Sequence, residues 1–237
     1  MGRKVIDFHS HILPQIDDGS QSIEETLSLL QMLSEQGIDR VAATPHFYAS
    51  HQPLARFLEK RAEAYEQVKS ALQKEASLSV PEIRLGAEVW YYPGVSRLEG
   101  IRELQLEGTR LLLLEMPMDP WSAYTVREVL DLNCSGALTV VLAHIERCLL
   151  YQDASVWEQL LQNGVMMQVN ASFLLSRRTR SKALKLIKRG QVQWIGSDCH
   201  NLTERAPRMG EALDVLQKKL GAAFLADFDA LNRSFWA

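Results

Sequence analysis

The residues able to do chemistry in this 237-residue chain recur at the ends of apolar runs. KVIDFHSH ends in His9 and His11, with Asp17 and Asp18 close behind, and QVQWIGSDCH ends in Asp198 and His200. Alternate side chains of a strand share a face. His9 therefore points with His11, and Asp198 with His200, while Ser10 and Cys199 point away. Neutral imidazoles and carboxylates at this spacing make good ligands for a divalent metal ion. Taken alone, His-x-His is about as well explained by two polar residues capping a strand. The matching Asp-x-His shifts the balance to metal binding.

Glu88 and Glu115 close the apolar runs LGAEVW and LLLLEMP. A carboxylate buried there needs a partner, either an arginine such as Arg84 or Arg110 or a metal ion that its two oxygens can bridge. The metal is preferred for both. His46 ends DRVAATPH, and His144 ends ALTVVLAH as a further candidate ligand; of six histidines only His51 avoids a strand end. Arg147 lies just past His144, and Arg205 five residues past His200, with Arg208 as an alternative. Their planar forks suit phosphate oxygens. One of Asp17 and Asp18 is a ligand candidate, and the other caps the turn before Gly19 or the following helix. Glu146, Asn170 and Tyr48 are better explained structurally. Cys199 and Arg205 have the Cys-x5-Arg spacing of cysteine-dependent phosphatases. The intervening residues lack glycine, however, Asp198 would raise the thiol pKa, and strand alternation turns the sulfur away. A cysteine nucleophile is rejected.

Seven apolar or β-branched runs are predicted strands: 4–11, 39–46, 83–90, 110–117, 137–144, 164–172 and 191–200. Ser22 and Glu25 have capping-box spacing and open a helix with Ile23, Leu27, Leu30 and Leu33 on one face, stopped by Gly37. Further helices are predicted at 53–76, 122–135, 154–163, 178–189 and, last, 206–220, with a short one at best between the third and fourth strands. This alternation predicts an α/β fold, a distorted (β/α)7 parallel barrel, whose chemistry gathers at the C-terminal strand ends.

No linker or composition shift divides the chain, so residues 1–237 are expected to form a single domain. A net charge of −3 and a pI near 6.1 give no reason to expect nucleic-acid binding, and no like-charge block appears. The N-terminus lacks a signal-peptide core and no run has membrane-spanning length, so a cytoplasmic protein without membrane insertion is expected. Three scattered cysteines suggest no disulfide framework.

In this order, FHSHILPQIDDGS, ATPHF, GAEVW, LLLLEMP, LAHIER and GSDCH resemble the polymerase-and-histidinol-phosphatase (PHP) superfamily, most of all its bacterial capsule-operon tyrosine phosphatases of the CpsB/YwqE-like branch. The resemblance runs from residue 5 to about residue 208. It implies the PHP form of the barrel and a trinuclear centre of divalent ions, typically Mn2+, with Fe, Zn or Mg possible. His9, His11 and Asp198 would hold one ion, Glu88 would be shared with a second that Glu115 and His144 complete, and Asp18, His46 and His200 would hold the third. Arg147 and Arg205 would clasp phosphate. The family's loop has glycine where this chain has Gln15. The implied partner is a phosphotyrosine protein, such as a bacterial tyrosine kinase of polysaccharide synthesis.

The expected reaction is hydrolysis of a phosphate monoester by a metal-bridging hydroxide, without a phosphoenzyme. Four carboxylates against three divalent ions leave positive charge for an anionic substrate, and a phenolate with pKa about 10 leaves readily. The alternatives are a PHP phosphatase for a small alkyl phosphate such as histidinol phosphate, a C–N hydrolase of the amidohydrolase type, and a non-catalytic metal-binding module.

Overall fold

The computed structural model describes residues 5–75, 78–134 and 136–236; Lys4, Ala76 and Ser135, at the ends of three predicted elements, lie outside that range. All strand pairing is parallel. β1 (Val5–Ser10) pairs with β2 (Ile38–Ala43), and β2 with β4 (Glu82–Leu85). The second sheet runs β3 (His46–Phe47), β5 (Glu88–Trp90), β6 (Leu111–Glu115), β7 (Thr139–Leu142), β8 (Met166–Asn170) and β9 (Trp194–Gly196).

Among the described residues, nine strands fill seven positions. β3 continues β2 past Thr44-Pro45, and β5 continues β4 past Gly86-Ala87, where proline and glycine interrupt regular pairing. Gly86 N–H still donates to Ala43 O, and Glu88 N–H to Pro45 O, so the ladder carries across both breaks. The curl closes through an isolated bridge between Ser10 and Cys199, with His11 N–H donating to Cys199 O and Asp198 N–H to His9 O. This is the expected distorted seven-position barrel.

The helices cover the outside: α1 (Ile23–Glu35), α2 (Leu54–Lys74), α3 (Ala123–Cys134), α4 (Ala154–Gln162), α5 (Ala171–Leu175), α6 (Arg180–Lys188), α7 (Met209–Leu220) and α8 (Ala222–Trp236). Ser22 accepts from Glu25 N–H as predicted, but the Glu25 carboxylate reaches Gln21 N–H, one residue beyond the usual box. The buried face of α1 is Thr26, Leu29, Leu30 and Leu33, rotated from the predicted one. Gly37 follows in the left-handed conformation that ends helices. Two single 3-10 turns, Val95–Arg97 and Ile101–Leu104, replace a helix between the third and fourth positions.

Two more sequence expectations differ from the structure. The predicted sixth strand, 164–172, gives up Ala171 and Ser172 to α5. The helix at 206–220 is not the last: α8 follows it after Gly221. Its Trp236 is fully buried with Ile6, Phe8, Leu111 and Trp194 inside the barrel. The indole N–H donates to Glu82 at the start of β4, and Arg84 lies over the ring, 4.9 Å from its centroid. α8 thus closes the end of the barrel opposite the histidines. No helix among the described residues is long and apolar enough to cross a membrane.

Candidate metal centre

His9 in β1 and His11 just past its end reach the barrel mouth, and pairing with β2 slips between Asp7 and Ser10. A strand that kept strict alternation could not turn both Phe8 and His9 inward; the slip lets Phe8 stack on Trp194 while His9 joins the site. Gly196 makes the room, since a Cβ there would lie 2.5 Å from His9 Cβ. Gly19 does the same behind His11, where a Cβ would lie 2.2 Å from the His11 carbonyl oxygen.

The other end of the motif is built differently from the expected strand. β9 stops at Gly196, and Asp198 and His200 converge because Asp198 adopts a left-handed conformation, φ 53°. His144, past the end of β7, is likewise left-handed, φ 27°. Backbone strain of this kind at non-glycine residues concentrates at functional sites.

All nine sequence-nominated ligands come together. They form four overlapping groups: His11, Asp18, His46 and His200; His9, His11 and Asp198; His9, Glu88 and His144; and His46, Glu88 and Glu115. Within each, the donor atoms lie within 4.8 Å of one another. Glu88 is the hub. Its Oε1 is 2.7 Å from His144 Nε2, and its Oε2 is 3.2 Å from His9 Nε2, 3.3 Å from His11 Nε2 and 3.0 Å from His46 Nδ1. Arg84 and Arg110, the arginines weighed as partners for the two glutamates, are elsewhere: Arg84 pairs with Glu82, and Arg110 donates to Gly136 O.

The ambiguous aspartates separate cleanly. Asp17 is buried behind His11, accepting from His11 Nδ1 (2.7 Å), His46 N–H (2.9 Å) and Gly19 N–H (2.9 Å). Asp18 is 64% exposed, with Oδ1 3.5 Å from His46 Nε2 and 3.4 Å from His200 Nε2. Asp17 orients; Asp18 faces the centre. Arg205 and Arg208 separate too. Arg205 lies 2.8 Å from Asp198 and 3.5 Å from Asp18, whereas Arg208 is held by Glu211. Arg147 reaches Asp198 at 2.8 Å and Glu115 at 3.3 Å.

Gln168 was missed in the sequence. Its Oε1 accepts from His144 N–H (2.6 Å), which fixes that atom as oxygen, so His9 Nδ1, 3.3 Å away, must donate to it. Its amide donates to Asn170 Oδ1, and Asn170 in turn donates to Asp198. The only signal was a polar residue set between the apolar residues of MMQV. Asp7, also missed, accepts from Ser197 N–H and His9 N–H beneath the site.

These outer bonds decide how the centre meets a cation. His9 donates through Nδ1 to Gln168, His11 through Nδ1 to Asp17, and His200 through Nδ1 to Asp198 O, leaving each Nε2 as a lone pair turned inward. His9 Nε2 and His11 Nε2 are only 3.1 Å apart. Two acceptor lone pairs at that distance repel unless a proton or cation lies between them. Among the buried polar atoms, His46 Nδ1, Glu88 Oε2 and His200 Nε2 make no well-aligned hydrogen bond, although Glu88 Oε2 and His46 Nδ1 lie 3.0 Å apart. Such atoms are costly unless a ligand satisfies them. The donor set, imidazoles and carboxylates without thiolate, suits divalent ions such as Mn, Fe or Zn.

Without a cation, protons take up the mismatch. Burial opposes charge on His11, but Asp17 and Glu88 outweigh it and lift its pKa to about 10. Burial also opposes charge on His9, yet Glu88 and Asp198 raise it. Burial and Glu88 push Glu115 up to about 7, while burial and His11 hold His200 down to about 4. Burial would raise Glu88, but His9, His11, His144 and His46 hold it well below the usual carboxylate range. Cys199 is fully buried and its thiol is raised by burial and by Asp7, which agrees with rejecting it as a nucleophile.

The family described as "Capsular polysaccharide synthesis, CpsB/CapC" matches residues 5–234. The tyrosine-protein phosphatase CpsB of Streptococcus pneumoniae is 31% identical over 231 residues, covering 92% of each chain. The tyrosine-protein phosphatase YwqE of Bacillus subtilis is 29% identical over 228 residues, covering 92% of this chain and 86% of its own. A crystal structure from work on YwqE and CpsB, described as unique metal-dependent tyrosine phosphatases, superposes with a TM-score of 0.81 at 28% identity, covering 93% of this chain and 90% of that one. With sequence, fold and site in agreement over nearly its whole length, the chain belongs to the CpsB/CapC family of capsular polysaccharide synthesis proteins.

Proposed function

We propose that this chain is a metal-dependent phosphoric monoester hydrolase acting on protein phosphotyrosine, built as a single PHP-type domain. Three divalent ions, most simply Mn2+, with Fe, Zn or Mg as alternatives, would be held by His9, His11, Asp18, His46, Glu88, Glu115, His144, Asp198 and His200. The observation that carries this reading is the convergence of inward lone pairs and buried atoms without a well-aligned hydrogen bond around Glu88, with two arginines at the rim. The named activities of the relatives support it.

Bound divalent ions would acidify water and polarise phosphoryl oxygens. The protein's own contribution is positioning. Arg147 and Arg205 are 35% and 38% exposed, so their guanidinium groups can exchange the Asp198 carboxylate for a phosphoryl group, taking its oxygens bidentately and stabilising their charge in the transition state. Gln168 and Asp17 fix the tautomers of His9 and His11 and prevent either ring from rotating. Water forms the new P–O bond, the bond to the tyrosine oxygen breaks, and the phenolate, with a reference pKa of about 10, leaves more readily than an alkoxide.

The physiological substrate fitting this reading is a phosphotyrosine protein of capsule or exopolysaccharide synthesis, such as a bacterial tyrosine kinase, in the cytoplasm. The test compares phosphate release from phosphotyrosyl, phosphoseryl and histidinol phosphate esters by metal-loaded protein. Preference for the phosphotyrosyl ester is expected; preference for histidinol phosphate would move the assignment to small alkyl phosphates.

A further inference from the structure

Two openings flank the candidate metal centre. One, of about 390 Å³, is lined by Glu146, Arg147, Asn170, Asp198 and Arg205, and is the side of the guanidinium groups. The other, of about 400 Å³, is lined by Ile16, Asp18, His46, Tyr48, His51 and Gln52. Its wall is aromatic. The Tyr48 ring lies 5.1 Å from that of His46, 5.0 Å from that of His51 and 6.1 Å from that of Trp90. His46 sits in two of the ligand groups, so this row of rings ends at the centre itself.

One carboxylate joins the two sides. Asp18 Oδ1 faces His46 and His200, while Asp18 Oδ2 is 3.5 Å from Arg205. A phosphoryl group held by Arg205 therefore lies next to the aromatic opening, and its ester oxygen has somewhere apolar to point. Tyr48 is half-buried, and its ring neighbours those of His46 and Trp90. Aromatic rings in a cavity of a few hundred cubic ångströms are what a planar aryl group pairs with, offset or edge-on. A serine or threonine ester has no π face and too short a side chain to reach the rings.

We propose that Tyr48, with His51, forms the subsite that receives the aryl group and selects phenolic over alkyl phosphate esters. The inference rests on the phosphatase reading above and adds a specificity determinant to it. Tyr48 acts by binding the leaving group's ring.

The test uses metal-loaded wild type, Tyr48→Ala, Tyr48→Phe and His51→Ala. Two quantities are measured: kcat/KM for a phosphotyrosyl peptide, and the ratio of phenylphosphonate to methylphosphonate affinity by calorimetry. Losing one aromatic pairing in Tyr48→Ala should lower both roughly three- to tenfold. Tyr48→Phe keeps the ring and should restore both. His51 is exposed, so His51→Ala should fold even where Tyr48→Ala does not, and should lower the phenyl-to-methyl ratio about twofold. An unchanged ratio in both alanine variants overturns the aromatic subsite and leaves the phosphatase reading standing. Wild-type protein that hydrolyses no ester and binds neither phosphonate overturns both.

Discussion

Replacing Asp17 by asparagine isolates the role of a buried carboxylate that lies outside the four ligand groups. Asp17 Oδ2 accepts from His11 Nδ1 and His46 N–H, and Oδ1 accepts from Gly19 N–H, so both oxygens face donors. Asparagine has a single oxygen, and in either orientation its NH2 meets an N–H head-on. One lost hydrogen bond costs about 1 kcal/mol and a buried unsatisfied donor about 1–3, so Asp17→Asn should destabilise the metal-free protein by about 2–4 kcal/mol. Because a neutral amide oxygen replaces the carboxylate behind His11 Nδ1 and leaves the ring a less basic ligand, metal affinity should fall about 10- to 100-fold. The pH dependence has a definite sign. Burial opposes the Asp17 charge, but His11 and the hydrogen bonds hold its folded pKa below the ordinary 3.8. Its stabilisation is therefore present above about pH 4 and lost as pH falls toward the folded pKa, a loss that Asp17→Asn should not show. Asp18→Asn is the control: on the exposed neighbour it should change stability by under about 0.5 kcal/mol yet still weaken metal binding. Urea unfolding with chelator and calorimetric metal titration read both. Equal stabilities and equal metal affinities for Asp17→Asn and wild type would refute the reasoning.

Arg147→Ala should lower kcat by about 10²–10³-fold with metal content unchanged by elemental analysis; loss of the metal would show Arg147 to be part of the centre's support instead. Gln15 occupies the left-handed region, φ 58°, where a side chain costs about 1–2 kcal/mol, partly offset by glycine's greater unfolded-chain entropy. Gln15→Gly should therefore stabilise by about 0.5–1 kcal/mol, a rise of roughly 1–4 °C in Tm. His11, raised to about 10 from 6.5, stabilises the metal-free protein fully below pH 6.5, a contribution lost as pH rises through about 10. The urea midpoint in chelator should accordingly fall over that window, and metal binding at pH 7 should release protons, seen as a buffer-dependent calorimetric enthalpy.

The strand ends were legible because apolar runs stop where polar residues begin, and the nine nominated residues lie together in space. Periodicity could not show that Asp198 and His200 converge through a left-handed residue, or that β1 slips its pairing at His9. Alternation gave the right faces there by a different geometry. Asp17 and Asp18 were inseparable because adjacent identical residues differ only in what folds against them. Gln168 was hidden because its partners, His9 and His144, are 159 and 24 residues away. The resemblance implies glycine where Gln15 stands, and Gln15 has a positive φ, the conformation that favours glycine. α8 was missed because its indole packs into the barrel's far end, a contact with Glu82 and Arg84 that local pattern does not encode.

The most direct test of the central claim is phosphate release from a phosphotyrosyl peptide, before and after chelation, with Mn2+ added back and metal content measured throughout. Activity that disappears with the metal and returns with Mn2+ is the predicted result. Full activity in protein shown to be metal-free would contradict the account and return attention to Cys199.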